Sequence, residues 1–197
     1  MAGATWTADD EGYLQAHQWA AALAGGAPLP TVAPRVPLGP GEIAHADLAP
    51  VTVTGFFGEQ ASYRRSFLLL GGPVGLALTG AASLAHNASK KAEAQRAAVP
   101  RWHSLGSADV VVTSQRLVAA SAGKIESFWY AEAGAPQWAA GASPAVQLQP
   151  PGMPLLRFQS PWAGLLYVFA HAVVDGRPPG VPLPAGLLDR ARADGRL

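Results

Sequence analysis

The chain contains no cysteine among its 197 residues. That excludes disulfides, thiolate zinc sites and cysteine nucleophiles, and it fits a reducing compartment. Charge is scarce too, at 14% of residues against about 25% in an ordinary globular domain. Catalytic motifs are missing. No G-x-S-x-G elbow accompanies the thinkable set His103, Ser104 and Asp109, and there is no P-loop and no dinucleotide fingerprint. The five histidines, His17, His45, His86, His103 and His171, form no HExxH. His171 falls beside an apolar helix face, where a hydrogen-bonded structural role is expected. Residues 1–7 lack a basic start and no apolar core follows, so no secretory signal is expected, and the Asn87-Ala88-Ser89 sequon lacks a secretory setting. A pI near 8.2 with only loose aromatic and basic interleaving argues against nucleic acid.

What is present is apolar. Hydrophobic residues make up 49% of the chain, enough for a substantial core in one domain. The charges that exist are unevenly placed. Residues 1–61 carry six acids and one base, residues 62–124 eight bases and two acids, and residues 125–197 five of each. An acidic start facing a basic middle would account for this. So would an anionic partner at the basic segment.

The stretch 109–120, DVVVTSQRLVAA, has the pattern of a hairpin: β-branched Val110–Val112, a polar turn at 113–116, then Leu117, Val118 and Ala119. Further strands are expected at 42–58, where Val51, Val53 and Phe57 alternate with Thr52, Thr54 and Phe56, and at 63–70, 124–131, 145–149 and 155–159. A helix is expected at 12–23, preceded by Asp9-Asp10-Glu11 and stopped by Gly25-Gly26. Residues 27–40 are too proline-rich for regular structure and predict an extended linker, and 134–144 a small-residue loop. Ser160 as cap and Pro161 as first helical residue open the clearest helix. Its apolar face is Trp162, Leu165, Leu166, Phe169, Ala170 and Val173, and Gly176 ends it. A short helix is expected at 185–193 in the remaining tail. Residues 66–85 carry no charge and permit three readings: a membrane span, a membrane-surface or re-entrant element, or a buried strand-turn-helix with a helix from Pro73 to about 98.

The run Trp102–Leu117, WHSLGSADVVVTSQRL, resembles the "vvvT-x-x-R-L" hairpin of bacterial pleckstrin-homology-like (PH-like) and GRAM-like domains. Gly39-Pro40-Gly41-Glu42 matches the "pGE" segment that precedes their first strand. The resemblance covers about residues 40–175, and an insertion between Tyr63 and Trp102 departs from it. It implies an α+β fold: an antiparallel PH-like β-barrel or sandwich capped by a C-terminal amphipathic helix. An N-terminal helix and linker (1–40) would precede the domain (41–176), a helical insertion would lie at about 71–100, and a tail would follow (177–197). The family is mostly non-catalytic, so neither an enzyme nor a cofactor or metal is expected. The implied function is a binding or adaptor module. It would recognise an anionic lipid headgroup surface or a protein partner, in the cytoplasm and peripherally at the inner face of the membrane. Candidate anion-binding residues are Arg64, Arg65, Lys90, Lys91, Arg101, Arg116 and Lys124, since guanidinium and ammonium groups suit phosphate. A membrane-inserted adaptor through 66–85 and a structural subunit of an assembly, including a homo-oligomer, are the alternative readings.

Overall fold

The computed structural model describes residues 5–58, 99–139 and 141–197. The strand expected at 63–70, the charge-free stretch 66–85 and the helical insertion up to residue 98 lie outside them. Within them the chain is α+β, with seven antiparallel strands in one sheet and four helices.

The first helix, α1, spans Ala8–Ala24 and begins four residues before the sequence pattern places it. Thr7 is the reason. Its hydroxyl accepts from the Asp10 backbone N–H at 3.1 Å, while Asp10 accepts from the Thr7 N–H at 3.0 Å. This capping box satisfies two orphan donors, and the three acids then fall inside the first turn.

Strand β1 (Ala44–Phe57) is 14 residues long and pairs with β2 (Arg101–Thr113) along its length. The expected hairpin joins β2 to β3 (Arg116–Ser121), and β4 (Lys124–Trp129) follows through the Ala122-Gly123 turn. The expected strand at 124–131 stops at Trp129. Tyr130 turns inward, donates its N–H to the Gln115 carbonyl and opens a one-turn helix, α2 (Tyr130–Ala133). The expected loop at 134–144 contains a two-residue strand, β5 (Gln137–Trp138), held against β6 (Ala145–Leu148). Strand β7 (Leu155–Gln159) pairs with β6 and, on its other side, with Thr52–Phe56 of β1. The order across the sheet is therefore β4-β3-β2-β1-β7-β6-β5. The register slips between Leu48 and Val51, letting one long strand bend and serve both halves.

Alternation sets the faces. Val51, Val53, Val110, Val112, Leu117, Val146, Leu156 and Phe158 point into the main core. Helix α3 (Ala163–Asp175) packs on that core against β1, β2 and β6. It starts at Ala163 rather than Pro161, because the Ser160 hydroxyl and carbonyl take the N–H groups of Trp162 and Ala163 and make a turn ahead of it. Gly176, at φ 70°, ends it as expected.

The segments outside the expected domain are packed onto it. Ala16 of α1 is fully buried in the main core. Residues 27–40 run without regular structure, as their prolines require, but Val32, Val36 and Leu38 cover Ala44, Val111 and Val118 on the opposite face of the sheet. The last helix, α4 (Leu187–Ala193), returns to α1. Arg190 pairs with Asp10 at 2.8 Å and Arg196 with Glu11 at 2.6 Å, and both guanidinium groups lie over the Trp6 ring.

Candidate functional site

The candidate cations do not converge. Arg116, at the start of β3, is turned inward to Glu42. Its Nε donates to Glu42 Oε1 and its Nη2 to Oε2, both at 2.8 Å, and its Nη1 donates to Ser127 Oγ at 2.6 Å. The Glu42 side chain is fully buried. It also accepts from the Thr113 hydroxyl at 2.6 Å and the Gly39 N–H at 2.8 Å. Arg116 above all, aided by these donors against the opposing push of burial, holds the Glu42 carboxyl down to about 2. A guanidinium engaged on two edges inside the fold is a structural counterion.

The neighbouring Tyr130 hydroxyl is buried and has no hydrogen-bond partner among the described residues. Burial, with Glu42 adding to it, pushes its pKa up. An unsatisfied buried hydroxyl costs about 1–3 kcal/mol. Tyr130→Phe is therefore expected to raise stability by about 1 kcal/mol in urea denaturation, and a loss of stability would show that the hydroxyl is satisfied after all.

Lys124 stands at the β3–β4 turn. It borders an open cleft of about 410 Å³ with Pro50, Ser107, Ser121 and Gly123. Asp109, at the same cleft, lies 3.4 Å from Arg35, which also forms an ion pair with Asp47. The cleft thus holds both signs of charge. Arg101 is exposed at the other end of β2, paired across the ladder with Phe57. The Lys124 turn meets β2 at Ser107, where Ser121 Oγ donates to the carbonyl. Six residues of strand separate the two cations, about 20 Å. Arg64, Arg65, Lys90 and Lys91 lie outside the described residues.

A surface the sequence pattern did not single out lies beside Arg101. On the sheet face away from the core, Phe56 of β1 is 40% exposed and its ring centroid is 5.3 Å from that of Trp102 of β2. Arg157 of β7 stacks over the Trp102 ring at 4.1 Å. The Gln147 amide, with its oxygen turned toward Arg157, accepts from it at 2.9 Å. Leu156 and Phe158 point into the core, so Arg157 between them takes the opposite face. Only the pairing of β7 with β1 places it beside an aromatic pair contributed by two other strands.

Three of the histidines, His45, His103 and His171, make structural hydrogen bonds. His103 Nε2 is 3.0 Å from the Phe57 carbonyl, and His45 Nδ1 is 2.7 Å from that of Pro30. His171 bridges Asp175 (2.5 Å) and the Pro136 carbonyl (2.9 Å), holding α3 to the loop before β5. Among the described residues no three side chains of His, Asp or Glu gather at metal-binding distance, and no helix is long and apolar enough to cross a membrane. The described residues carry nine lysines and arginines against eleven acids, so the chain's basic excess resides in 59–98, with five bases and two acids. Comparison with family models, with curated proteins and with solved structures finds no match to this chain.

Proposed function

We propose that this chain is a non-catalytic PH-like binding module that recognises an anionic membrane surface. The fold part of the reading draws on the strand order, on a first strand shared between both halves of the sheet, and on a helix that follows the last strand. The observation that carries the functional part is the placement of the Phe56–Trp102–Arg157 surface. It lies where the chain enters and leaves its most basic stretch, since β1 ends at Phe57 and β2 begins at Arg101. An exposed Phe56 beside a half-buried Trp102 suits a headgroup interface, where aromatic rings settle favourably, and Arg donates to phosphate in pairs. Juxtamembrane bases add about 1 kcal/mol each on an anionic leaflet. Arg64, Arg65, Lys90, Lys91 and Arg101 are the cations assigned to this role, and Lys124 is left out because it stands on the other face of the sheet, about 20 Å from Arg101. Arg116 is left out because Glu42 occupies it.

Co-sedimentation with neutral and anionic vesicles, at low and high salt, tests the reading. Binding is expected on anionic vesicles only and is expected to fall as salt rises. Replacing Arg64, Arg65, Lys90 and Lys91 by glutamine is expected to weaken it at least about tenfold, and Trp102→Ala to weaken what remains. Failure to bind anionic vesicles at any salt would sink the lipid reading in favour of a protein partner. Salt-resistant binding would indicate insertion of residues 66–85 instead.

A further inference from the structure

Strand β4 is one end of the sheet, and among the described residues no second strand pairs with its outer edge. Ala122 and Gly123 both have positive φ, 48° and 77°, as a two-residue type I′ hairpin turn requires. That turn makes Ser121 and Lys124 a hydrogen-bonded pair, so Lys124, Glu126 and Phe128 bond back to β3. The backbone N–H and C=O groups of Ile125, Ser127 and Trp129 then face outward. Natural edges are usually blunted by charged side chains, proline or a bulge. This edge has neither proline nor bulge, its charges are one lysine and one glutamate, Lys124 and Glu126, and Ile125 is 47% exposed and Trp129 40%. Lys124 and Glu126, two residues apart on the other face, form no ion pair among the described residues.

We infer that β4 is a homodimerisation edge, pairing antiparallel with β4 of a second copy about a two-fold axis through Ile125. Charge selects this occupant and this register. Centred on Ile125, the pairing sets Lys124 of each copy opposite Glu126 of the other, twice, in the non-hydrogen-bonded positions where side chains approach most closely. Ile125 meets its own symmetry mate through two backbone hydrogen bonds. Ser127 falls opposite the other copy's Gly123, where the space is open, and Trp129 lies just beyond that turn. Centred one residue later, the pairing would set Glu126 against Glu126, which repels. An edge whose charges match their own two-fold image suits a second copy of itself.

The experiment is sedimentation velocity on the full chain over a range of concentrations, with three samples: Lys124→Glu, Glu126→Lys, and their equimolar mixture. The unaltered chain is expected to dimerise reversibly. Each variant alone sets like charges opposite each other at both positions, and each is expected to dimerise about tenfold more weakly. In the mixture every facing pair is Lys with Glu, so association is expected to return to within about threefold of the unaltered chain. Unchanged thermal melting of each variant's monomer shows that the fold is intact. A monomeric unaltered chain at every concentration, undiminished dimerisation of either variant, or a mixture that stays as weak as its components would each overturn the proposal.

Discussion

Gly12→Ala is expected to destabilise this protein severely, although alanine is the better helix former by about 1 kcal/mol. Helix α1 packs tightly on the start of α3 and the turn before it. A Cβ on Gly12 would stand 1.8 Å from the carbonyl oxygen of Pro161, a backbone atom with no freedom to give way. One turn on, a Cβ on Gly164 of α3 would stand 2.6 Å from the Cβ of Ala16. The helices must separate to admit either methyl. Separation loosens Ala16 and the edge-on packing of Trp19 on Phe169, whose centroids are 5.4 Å apart. Overpacking of this kind costs typically about 1–3 kcal/mol when side chains can adjust. At Gly12 the obstacle is backbone, so about 3 kcal/mol or more is expected, against a total stability of about 5–15 kcal/mol. Gly164→Ala should cost about 2 kcal/mol. Adding Ala16→Gly removes the facing methyl and should return part of that loss. Urea denaturation of the four proteins in that cycle measures the coupling. Additive costs, or a neutral Gly12→Ala, would mean that α1 does not sit this close to α3.

The second large effect concerns Glu42 and Arg116. Arg116→Met keeps an apolar stem beside Trp129 but leaves a buried carboxylate without its counterion, and a loss of about 3–5 kcal/mol is expected. The double variant Glu42→Gln, Arg116→Met removes the stranded charge and should be clearly more stable than Arg116→Met alone. The acid limb of stability gives an independent readout. Glu42 titrates at about 2 in the folded protein and at 4.5 as an ordinary glutamate. A depressed folded pKa means that the unfolded chain binds the proton first. The contribution is therefore complete above the unfolded value and drains away as pH falls from 4.5 toward 2. It amounts to about 3 kcal/mol. Stability measured at stepped pH should fall steeply in that window for the unaltered chain and less steeply for Glu42→Gln. Asp10 and Asp47, where the upward push of burial is outweighed by hydrogen-bonding partners, and Glu11, held down by Arg196, are also depressed; they contribute to both curves and cancel in the difference. Parallel curves would show that the pair is not formed in solution.

The same residue shows where sequence reading stops. Arg116 on its own is a basic residue in a basic segment, next to a polar turn, and a phosphate ligand is a fair expectation for it. Its partner is 74 positions away. The Gly39-Pro40-Gly41-Glu42 segment stood out as a motif, but nothing in its local pattern says that its carboxylate is buried.

Local chemistry by itself determined the elements: the hairpin of β2 and β3, the alternating faces of β1, β6 and β7, the apolar stripe of α3 and its Gly176 stop. Period, turn residues and helix stops act within a few residues of one another, so they can be read from one stretch of chain. Where an end shifted, at Thr7, Trp129 or Ser160, a nearby side chain or a tertiary hydrogen bond moved it. Tertiary structure alone decided what those elements became for one another. It made β1 the strand common to both halves, turned the proline-rich 27–40 into a cover for the sheet, and pressed α1 onto α3 through Gly12 and Gly164. It separated Arg101 from Lys124, assembled Phe56, Trp102 and Arg157 from three strands, and left β4 at the edge. Each of these depends on pairings between residues far apart in sequence, fixed by burial and register rather than by local propensity.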